Sequence, residues 1–225
     1  LRSPDAFTQL SADIATVAGA VGKTPVTMAT NLRESGWSVT NWGKFSQGPA
    51  LAAVGLALEG RYRRVLVPSS VSYASLSSWG THPLTDPLLS TSRTEIRDDG
   101  ALKRRTEKVA AIIASDLAMN HLHVCWMDQS SFNCGSCEKC LRTLSLLEML
   151  GGRYRAATFP PGSWSLDALA KLRLRKSLDR DSMQRVARNA RKYGRQDIAR
   201  AARRAVMRYD LRRGASRIAA AFGWR

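Results

Sequence analysis

The sequence predicts an α/β protein, a parallel sheet with flanking helices, that carries a basic and entirely helical extension. Short apolar segments of strand length alternate with longer segments in which apolar residues recur every three to four positions, a pattern typical of parallel sheets and their connecting helices. The charge also changes along the chain. Residues 1–152 contain 15 basic residues (Lys and Arg) and 13 acidic residues (Asp and Glu), whereas residues 153–225 contain 20 basic and 5 acidic residues. We therefore expect an α/β body over 1–152 and a basic helical extension over 153–225.

The elements of the body follow from the period of the apolar residues and from the glycines that end each segment. Val65 to Pro68 is too short and too apolar for anything but a core strand. The predicted elements, in chain order, are a helix over 3–21, a strand over 25–30, a helix over 48–58, a strand over 65–68, a long polar loop over 69–97, a helix over 102–114, a strand over 121–124 and a helix over 138–150.

The extension differs from the body in composition as well as in charge. Beyond Pro160-Pro161-Gly162 the residues are mainly Ala, Arg and Leu, and their apolar positions recur at helical spacing. We predict three or four basic amphipathic helices there. Their charges could neutralise the phosphates of RNA or DNA, lie on an anionic membrane surface, or simply be solvated on a helical cap.

Composition also excludes classes of protein. No apolar run approaches the roughly 18 residues that a membrane span needs, and we expect no secretory leader, because no charged-then-apolar segment occurs. We therefore expect a soluble, cytoplasmic protein. In reducing cytosol its four cysteines are expected to hold a metal ion and not to form disulfides.

The four cysteines follow a spacing that predicts a metal site: Cys125, eight residues, Cys134-Gly-Ser-Cys137-Glu-Lys-Cys140. A Cys-x-x-Cys turn brings two thiolates to one ion, and two overlapping turns together with Cys125 supply the four ligands that zinc prefers. Four thiolates leave no position open for water, so we predict a structural zinc. An iron–sulfur cluster, which four cysteines also hold, and independent buried thiols are the alternatives.

Polar residues that follow the strand over 65–68 are candidates for ligand binding, because loops at the carboxyl ends of parallel strands form the ligand crevice of open α/β sheets. The candidates in the loop are Ser69, Ser70, Tyr73, His82 and Asp86. The first three can donate to a ligand or satisfy the loop's own backbone. His82 and Asp86 can act on a substrate as an acid–base pair or cap turns. Lys108, on the next predicted helix, can contact a phosphate or be solvated or ion-paired.

The cysteine motif resembles that of a known family. Cys-x8-Cys-Gly-x-Cys-x-x-Cys, followed by Leu141-Arg142-Thr143, is similar to the zinc motif of the 7-cyano-7-deazaguanine synthase family, in the PP-loop ATP pyrophosphatase group. The resemblance covers residues 20–150. Its other parts are Trp79-Gly-Thr-His82-Pro-Leu-Thr-Asp86-Pro-Leu, Ser69-Ser70, Asp99-Gly100 and Glu107-Lys108.

That resemblance implies a doubly wound, Rossmann-like sheet of the adenine nucleotide alpha hydrolase type, with ATP and Mg²⁺ as cofactors. It also implies an AMP-forming ligase or amidotransferase, which activates a carboxylate or amide of a small-molecule substrate and releases pyrophosphate. The family's phosphate-binding Ser-Gly-Gly-x-Asp-Ser loop occurs nowhere in the 225 residues. We therefore expect the carboxyl-terminal portion of such an enzyme, or a degenerate member. The alternative function is a zinc-stabilised nucleic-acid-binding module on an inactive α/β scaffold.

Overall fold

A computed structural model gives the fold of residues 4–35, 39–125, 127 and 132–221. The chain forms two compact units, Leu1–Lys108 and Val109–Arg225. The first unit contains the parallel strands, and the second contains the four cysteines and the basic helices. Packing therefore divides the chain at Lys108, whereas the predicted domains follow the change in charge at residue 152.

The first unit is built on a pair of parallel strands. Its elements are the helices α1 (Pro4–Ala20) and α2 (Gln47–Leu56), the strands β1 (Arg64–Pro68) and β2 (Glu95–Asp99), and the start of the helix α3 (Arg105–Ile113). β1 and β2 pair along their whole length. Ala52 of α2, Val67 of β1 and Ile96 of β2 form a buried apolar core.

The predicted combination of helices with a parallel sheet is confirmed, on a small scale. α1, α2 and β1 lie where the apolar pattern predicts them, and the described residues contain one parallel pair of strands. The doubly wound, Rossmann-like type requires a larger sheet with helices on both faces. That finer assignment stays a prediction.

Two predicted strands are wrong. The segment over 25–30 has no regular structure and every residue in it is exposed, Val26 to 52%. An apolar composition does not make a strand by itself, because the backbone also needs a partner strand for its hydrogen bonds. The segment over 121–124 is irregular as well. There the side chain of Asn133 takes the place of a neighbouring strand.

β2 begins inside the segment predicted as a loop over 69–97 and ends two residues beyond it. Ile96 is 0% exposed, whereas Glu95 and Arg97 on either side of it are exposed. A strand with a single buried apolar residue lacks the alternation by which strands are recognised. Its pairing with β1, together with the ion pair of 2.5 Å between Arg64 and Glu95, stabilises it. Such tertiary pairing is not encoded in the local sequence.

The second unit is helical. After α3 its elements are α4 (Asp116–Asn120), α5 (Glu138–Met149), α6 (Leu166–Lys171), α7 (Ser177–Lys192) and α8 (Gln196–Ala221). α5 confirms the predicted helix over 138–150, and Gly151 follows it in the left-handed conformation, with φ 72°. α6, α7 and α8 confirm basic helices in the extension. Across the ranges that the structure describes, none of the helices combines the length and the apolar character of a membrane span.

α5 belongs to two apolar clusters of the second unit. Its Leu141 packs with buried residues of the extension, among them Met183 of α7 and Ile198 of α8. Its Cys140 and Leu147 lie in a second cluster, which includes Met119 before α5 and Phe159 after it. The helix that carries a cysteine ligand is therefore also a core helix of the basic bundle.

Candidate metal centre and strand-edge site

The four cysteine sulfurs lie close enough together to share one ion. All four Sγ atoms are within 4.8 Å of one another, with 3.8 Å between Cys125 and Cys137 and 3.9 Å between Cys134 and Cys140. Four sulfurs at about 2.3 Å from a tetrahedral metal ion are separated by about 3.8 Å. A cluster of several irons and sulfides holds its thiolates farther apart than one ion does. The geometry could therefore hold a single metal ion such as zinc.

Local structure positions all four of these sulfurs. Cys137 is the residue before α5, and its carbonyl accepts the first helical hydrogen bond, from the Leu141 N–H at 2.9 Å. Cys140 therefore lies in the first turn of α5, where the helix dipole favours negative charge. The backbone N–H of Cys137 donates to Cys134 Sγ at 3.4 Å, and that of Met127 donates to Cys125 Sγ at 3.4 Å. These donors favour thiolates.

The thiols of Cys137 and Cys140 do not ionise independently. Hydrogen bonding with Cys140 lowers the pKa of Cys137 to about 5, and the same contact, with burial, raises the pKa of Cys140. One sulfur therefore carries negative charge that a neighbouring thiol stabilises. A divalent cation can replace the protons that remain in such a group, since cysteine binds metals as the thiolate.

Gly135 allows the turn between Cys134 and Cys137. Its φ is 72°, a conformation that L side chains rarely adopt. A Cβ at this position would lie 2.4 Å from Ser163 Cβ and 3.3 Å from Pro160 Cδ. The turn is thus packed directly against residues 160–163 of the extension, so only glycine fits at position 135.

Asn133 holds the segment that carries Cys125. Its side chain is 0% exposed, and its Oδ1 accepts from the N–H groups of Val124 and Cys125 at 3.0 and 3.2 Å. Its Nδ2 donates to the carbonyls of Leu122 and Thr158 at 2.8 and 3.2 Å. The side-chain amide of Asn133 therefore makes the hydrogen bonds that a neighbouring strand would otherwise make with this backbone.

Arg142 supports α5 and does not contact the thiolates. Its Nη1 lies 3.1 Å from Glu138 Oε1, one turn earlier, and donates to Ser182 Oγ of α7 at 2.9 Å. Both partners of the ion pair are largely buried. The pair therefore connects the beginning of α5 to the basic helices.

The predicted binding residues of the first unit lie around the carboxyl ends of β1 and β2. We call Ser69, Ser70, Asp86, Asp98 and Lys108 the strand-edge site. Lys108 Nζ donates to the hydroxyl and the carbonyl of Ser69, directly after β1. Ser70 shares a hydrogen bond with the buried Thr81. Ser69 and Lys108 thus meet, as sheet-edge ligand residues are expected to do.

Tyr73 and His82 flank the strand-edge site. The N–H of Tyr73 donates to the Ala101 carbonyl at 3.0 Å, which joins the loop after β1 to the loop after β2, and its side chain is half exposed. His82 Nδ1 accepts from the Leu84 N–H at 3.2 Å, and its carbonyl accepts from the Asp86 N–H at 2.9 Å. His82 therefore shapes the turn that presents Asp86.

Asp86 and Asp98 are the unusual groups of this site. Asp86 is 1% exposed, and neither its carboxylate oxygens nor those of Asp98 have a hydrogen-bond partner among the described residues. Burial raises the pKa of Asp86 and outweighs the opposing influence of His82. Burial and the charge of Asp86 raise the pKa of Asp98, and Lys108 opposes them. Desolvated carboxylates beside a lysine are typical of functional sites.

Glycines bring the backbone close to Asp86. A Cβ on Gly48, in the first turn of α2, would lie 2.1 Å from the Gly80 carbonyl oxygen and 2.9 Å from Asp86 Oδ1. The N–H of Gly48 donates to the same carbonyl at 2.7 Å. The carboxylate is thus enclosed by α2 and by the loop that contains His82.

Sequence analysis did not predict Asn133 or Asp98. Nothing local distinguishes a buried asparagine just before a Cys-x-x-Cys turn. Asp98-Asp99-Gly100 follows Ile96 closely, as acidic residues and a glycine often do at the end of a core strand. Because residues 69–97 were predicted as a loop, no strand was expected there and Asp98 was not named. Both residues depend on partners that are distant in sequence.

We predict that Gly135→Ala weakens metal binding more than Gly162→Ala does. Both glycines have φ 72°, so both substitutions incur the left-handed penalty of roughly 1–2 kcal/mol. Only the methyl group added at position 135 meets Ser163, because nothing lies within 4 Å of a Cβ at Gly162. Co²⁺ titration followed by its thiolate absorption measures the affinity, and thermal unfolding measures stability. Equal losses in the two variants would contradict the packing argument.

We predict that Asp86→Asn changes how stability depends on pH. Because its pKa is raised in the folded state, Asp86 favours folding at low pH, and this contribution is lost as pH rises from the ordinary carboxyl range through the raised pKa. The free energy of unfolding of the variant, relative to wild type, should therefore increase from about pH 4 to about pH 7. Asp99→Asn, at an exposed neighbour, is the control. A difference that does not change with pH refutes the prediction.

No family model, no curated protein and no solved structure matches the chain.

Proposed function

We propose that the protein is the carboxyl-terminal portion of an ATP-dependent, AMP-forming ligase or amidotransferase, similar to 7-cyano-7-deazaguanine synthase and stabilised by a structural zinc. One observation carries the proposal: two desolvated carboxylates, Asp86 and Asp98, lie with Lys108 and Ser69 around the carboxyl ends of parallel strands. Ligands of open α/β sheets bind at this edge. The cysteine spacing supports the same family.

The chemistry of such an enzyme fits these residue types. A substrate carboxylate attacks the α-phosphorus of ATP, pyrophosphate departs, and a nucleophile then displaces AMP. Asp86 and Asp98 would hold Mg²⁺, because this ion takes one or two carboxylates together with substrate phosphates. When bound, the ion neutralises charge on the departing phosphates.

Lys108 and Ser69 would act on the nucleotide itself. The hydrogen bond from Nζ to the serine fixes the ammonium group at the end of β1, where it can bind a phosphate without reorganising. Burial lowers the pKa of Lys108, while Asp98 opposes that change. The Ser-Gly-Gly-x-Asp-Ser loop is missing from the sequence, so these residues are proposed to bind the AMP part and not the pyrophosphate.

We propose zinc as the ion of the cysteine centre, and its role as structural. Four thiolates complete a tetrahedral shell and leave no open position for water or substrate. The centre connects the segment of Cys125 to the beginning of α5, whose Leu141 packs in the core of the basic helices. Loss of the ion would therefore loosen the second unit as a whole.

We predict about one zinc per chain, and loss of stability in Cys137→Ala, since metal binding to such sites is coupled to folding. Elemental analysis measures the metal, and thermal unfolding with and without a chelator measures stability. Ser136→Ala, at an exposed position inside the same turn, removes a hydroxyl 3.7 Å from Cys134 Sγ but keeps all four thiolates, so it should keep the metal and nearly all of the stability. Iron in place of zinc would overturn the identity of the ion, and unchanged unfolding after metal loss would overturn its structural role.

We predict that the protein binds Mn²⁺, used in place of Mg²⁺, together with AMP. Asp98→Asn and Lys108→Met should each weaken this binding about tenfold or more, since each removes a charged contact worth about 1.5–3 kcal/mol. Electron paramagnetic resonance of free Mn²⁺ and calorimetry with AMP measure the two ligands. Asp99→Asn is the matched control. Absence of AMP binding, or variants that bind as well as wild type, would refute the proposed nucleotide site.

A further inference from the structure

An open groove of about 460 Å³ lies among the basic helices of the second unit. We call it the arginine groove, and its lining consists of Arg173, Leu174, Arg175, Tyr209, Arg212 and Arg213. It is independent of both the cysteine centre and the strand-edge site in the residues that form it. Four of its six lining residues are arginines, which makes it a site for an anion.

The alternation of residues before α7 builds one wall of the groove. Between α6 and α7 the chain has no helical structure, and Leu172 and Leu174 are buried whereas Arg173 and Arg175 are exposed. Leucines that enter the core every second residue force the intervening guanidinium groups outward. This wall is therefore positioned by the bundle core, in which both leucines lie.

The second wall is the carboxyl-terminal half of α8. Tyr209 is buried in the bundle core, and Arg212 and Arg213 lie one turn further along the helix. Arg212 Nη2 donates to the Leu174 carbonyl at 3.0 Å and so connects the two walls. Arg212 thus holds the groove together, while Arg173, Arg175 and Arg213 present exposed charge along it.

Among the described residues, no carboxylate lines the groove. The five acidic residues of the extension have other partners, although Asp179 lies beside the groove, at the backbone of Arg175. Asp167 pairs with Lys171, Asp181 and Asp210 with Arg180, Asp197 with Arg195, and Asp179 accepts from the backbone N–H groups at 175 and 176.

We propose that the arginine groove binds the phosphodiester backbone of a single-stranded nucleic acid. An open groove with cations on two walls is better suited to bind a series of phosphates along a strand than to bind one isolated anion. The extension contains 17 Arg and only 3 Lys, and the planar guanidinium binds phosphate oxygens in pairs. The inference goes beyond the proposed ligase activity and does not depend on it.

The test compares two triple variants of the 225-residue chain. Arg173, Arg175 and Arg213 are changed to Gln in the groove variant, and Arg188, Arg191 and Arg200, exposed positions of α7 and α8 outside the groove, in the control. Fluorescence anisotropy with a labelled strand of about 20 nucleotides, RNA or DNA, measures affinity from about 50 to about 200 mM salt. The groove variant should lose about tenfold or more at low salt, and its slope of log K against log salt should fall by roughly 2.

The proposal would be overturned if neither RNA nor DNA bound at low salt. Equal losses of affinity in the groove and control variants would also overturn it, because they would indicate diffuse electrostatic attraction. So would tighter binding of a duplex or of polyglutamate than of a single strand. Arg213→Lys keeps the charge and should retain most of the affinity. Circular dichroism and thermal unfolding of each variant separate loss of binding from loss of structure.

Discussion

Four thiolates at contact distance would repel one another, so in a folded protein either protons or a cation must balance their charge. Much of the second unit depends on this balance. Cys137 begins α5, Cys140 lies in its first turn, and Leu141 enters the core formed with α6, α7 and α8. Electrostatics at the cysteine cluster and apolar packing in the bundle therefore meet in one helix, so the proposed structural metal would affect the stability of the entire second unit.

At the strand-edge site, by contrast, a buried carboxyl group lowers the stability of the fold. Asp86 is enclosed by the first turn of α2 and by the loop containing His82, without a hydrogen bond to its carboxylate among the described residues. A group of this kind reduces stability by about 1–3 kcal/mol or more unless something binds it. Asp86 lies near Asp98 and Lys108, so this cost falls on a group for which we propose a binding role. The proposed metal would stabilise the second unit, whereas the buried carboxylate of Asp86 lowers the stability of the first.

The features that local sequence encodes were predicted, and those that depend on distant partners were not. Helical periodicity located α1, α2, α5 and the basic helices, and cysteine spacing located the metal centre. β2 was missed because one buried isoleucine gives no pattern until β1 pairs with it. The strand predicted over 121–124 was wrong because the Asn133 side chain, and not a strand, satisfies that backbone. Ser69 and Lys108 were named as candidates, but their hydrogen bond across 39 positions could not be read from the sequence.

The burial of Leu141 by the basic helices bears on how the chain can be dissected. Composition suggests a cut after residue 152, which would separate a nearly neutral body from a cationic extension. Such a cut would expose to water the face of α5 that now packs against Met183 and Ile198, and an apolar patch of this kind promotes aggregation. The boundary of charge is not a boundary of folding, and a soluble fragment that keeps the cysteine centre must keep the helices that cover it.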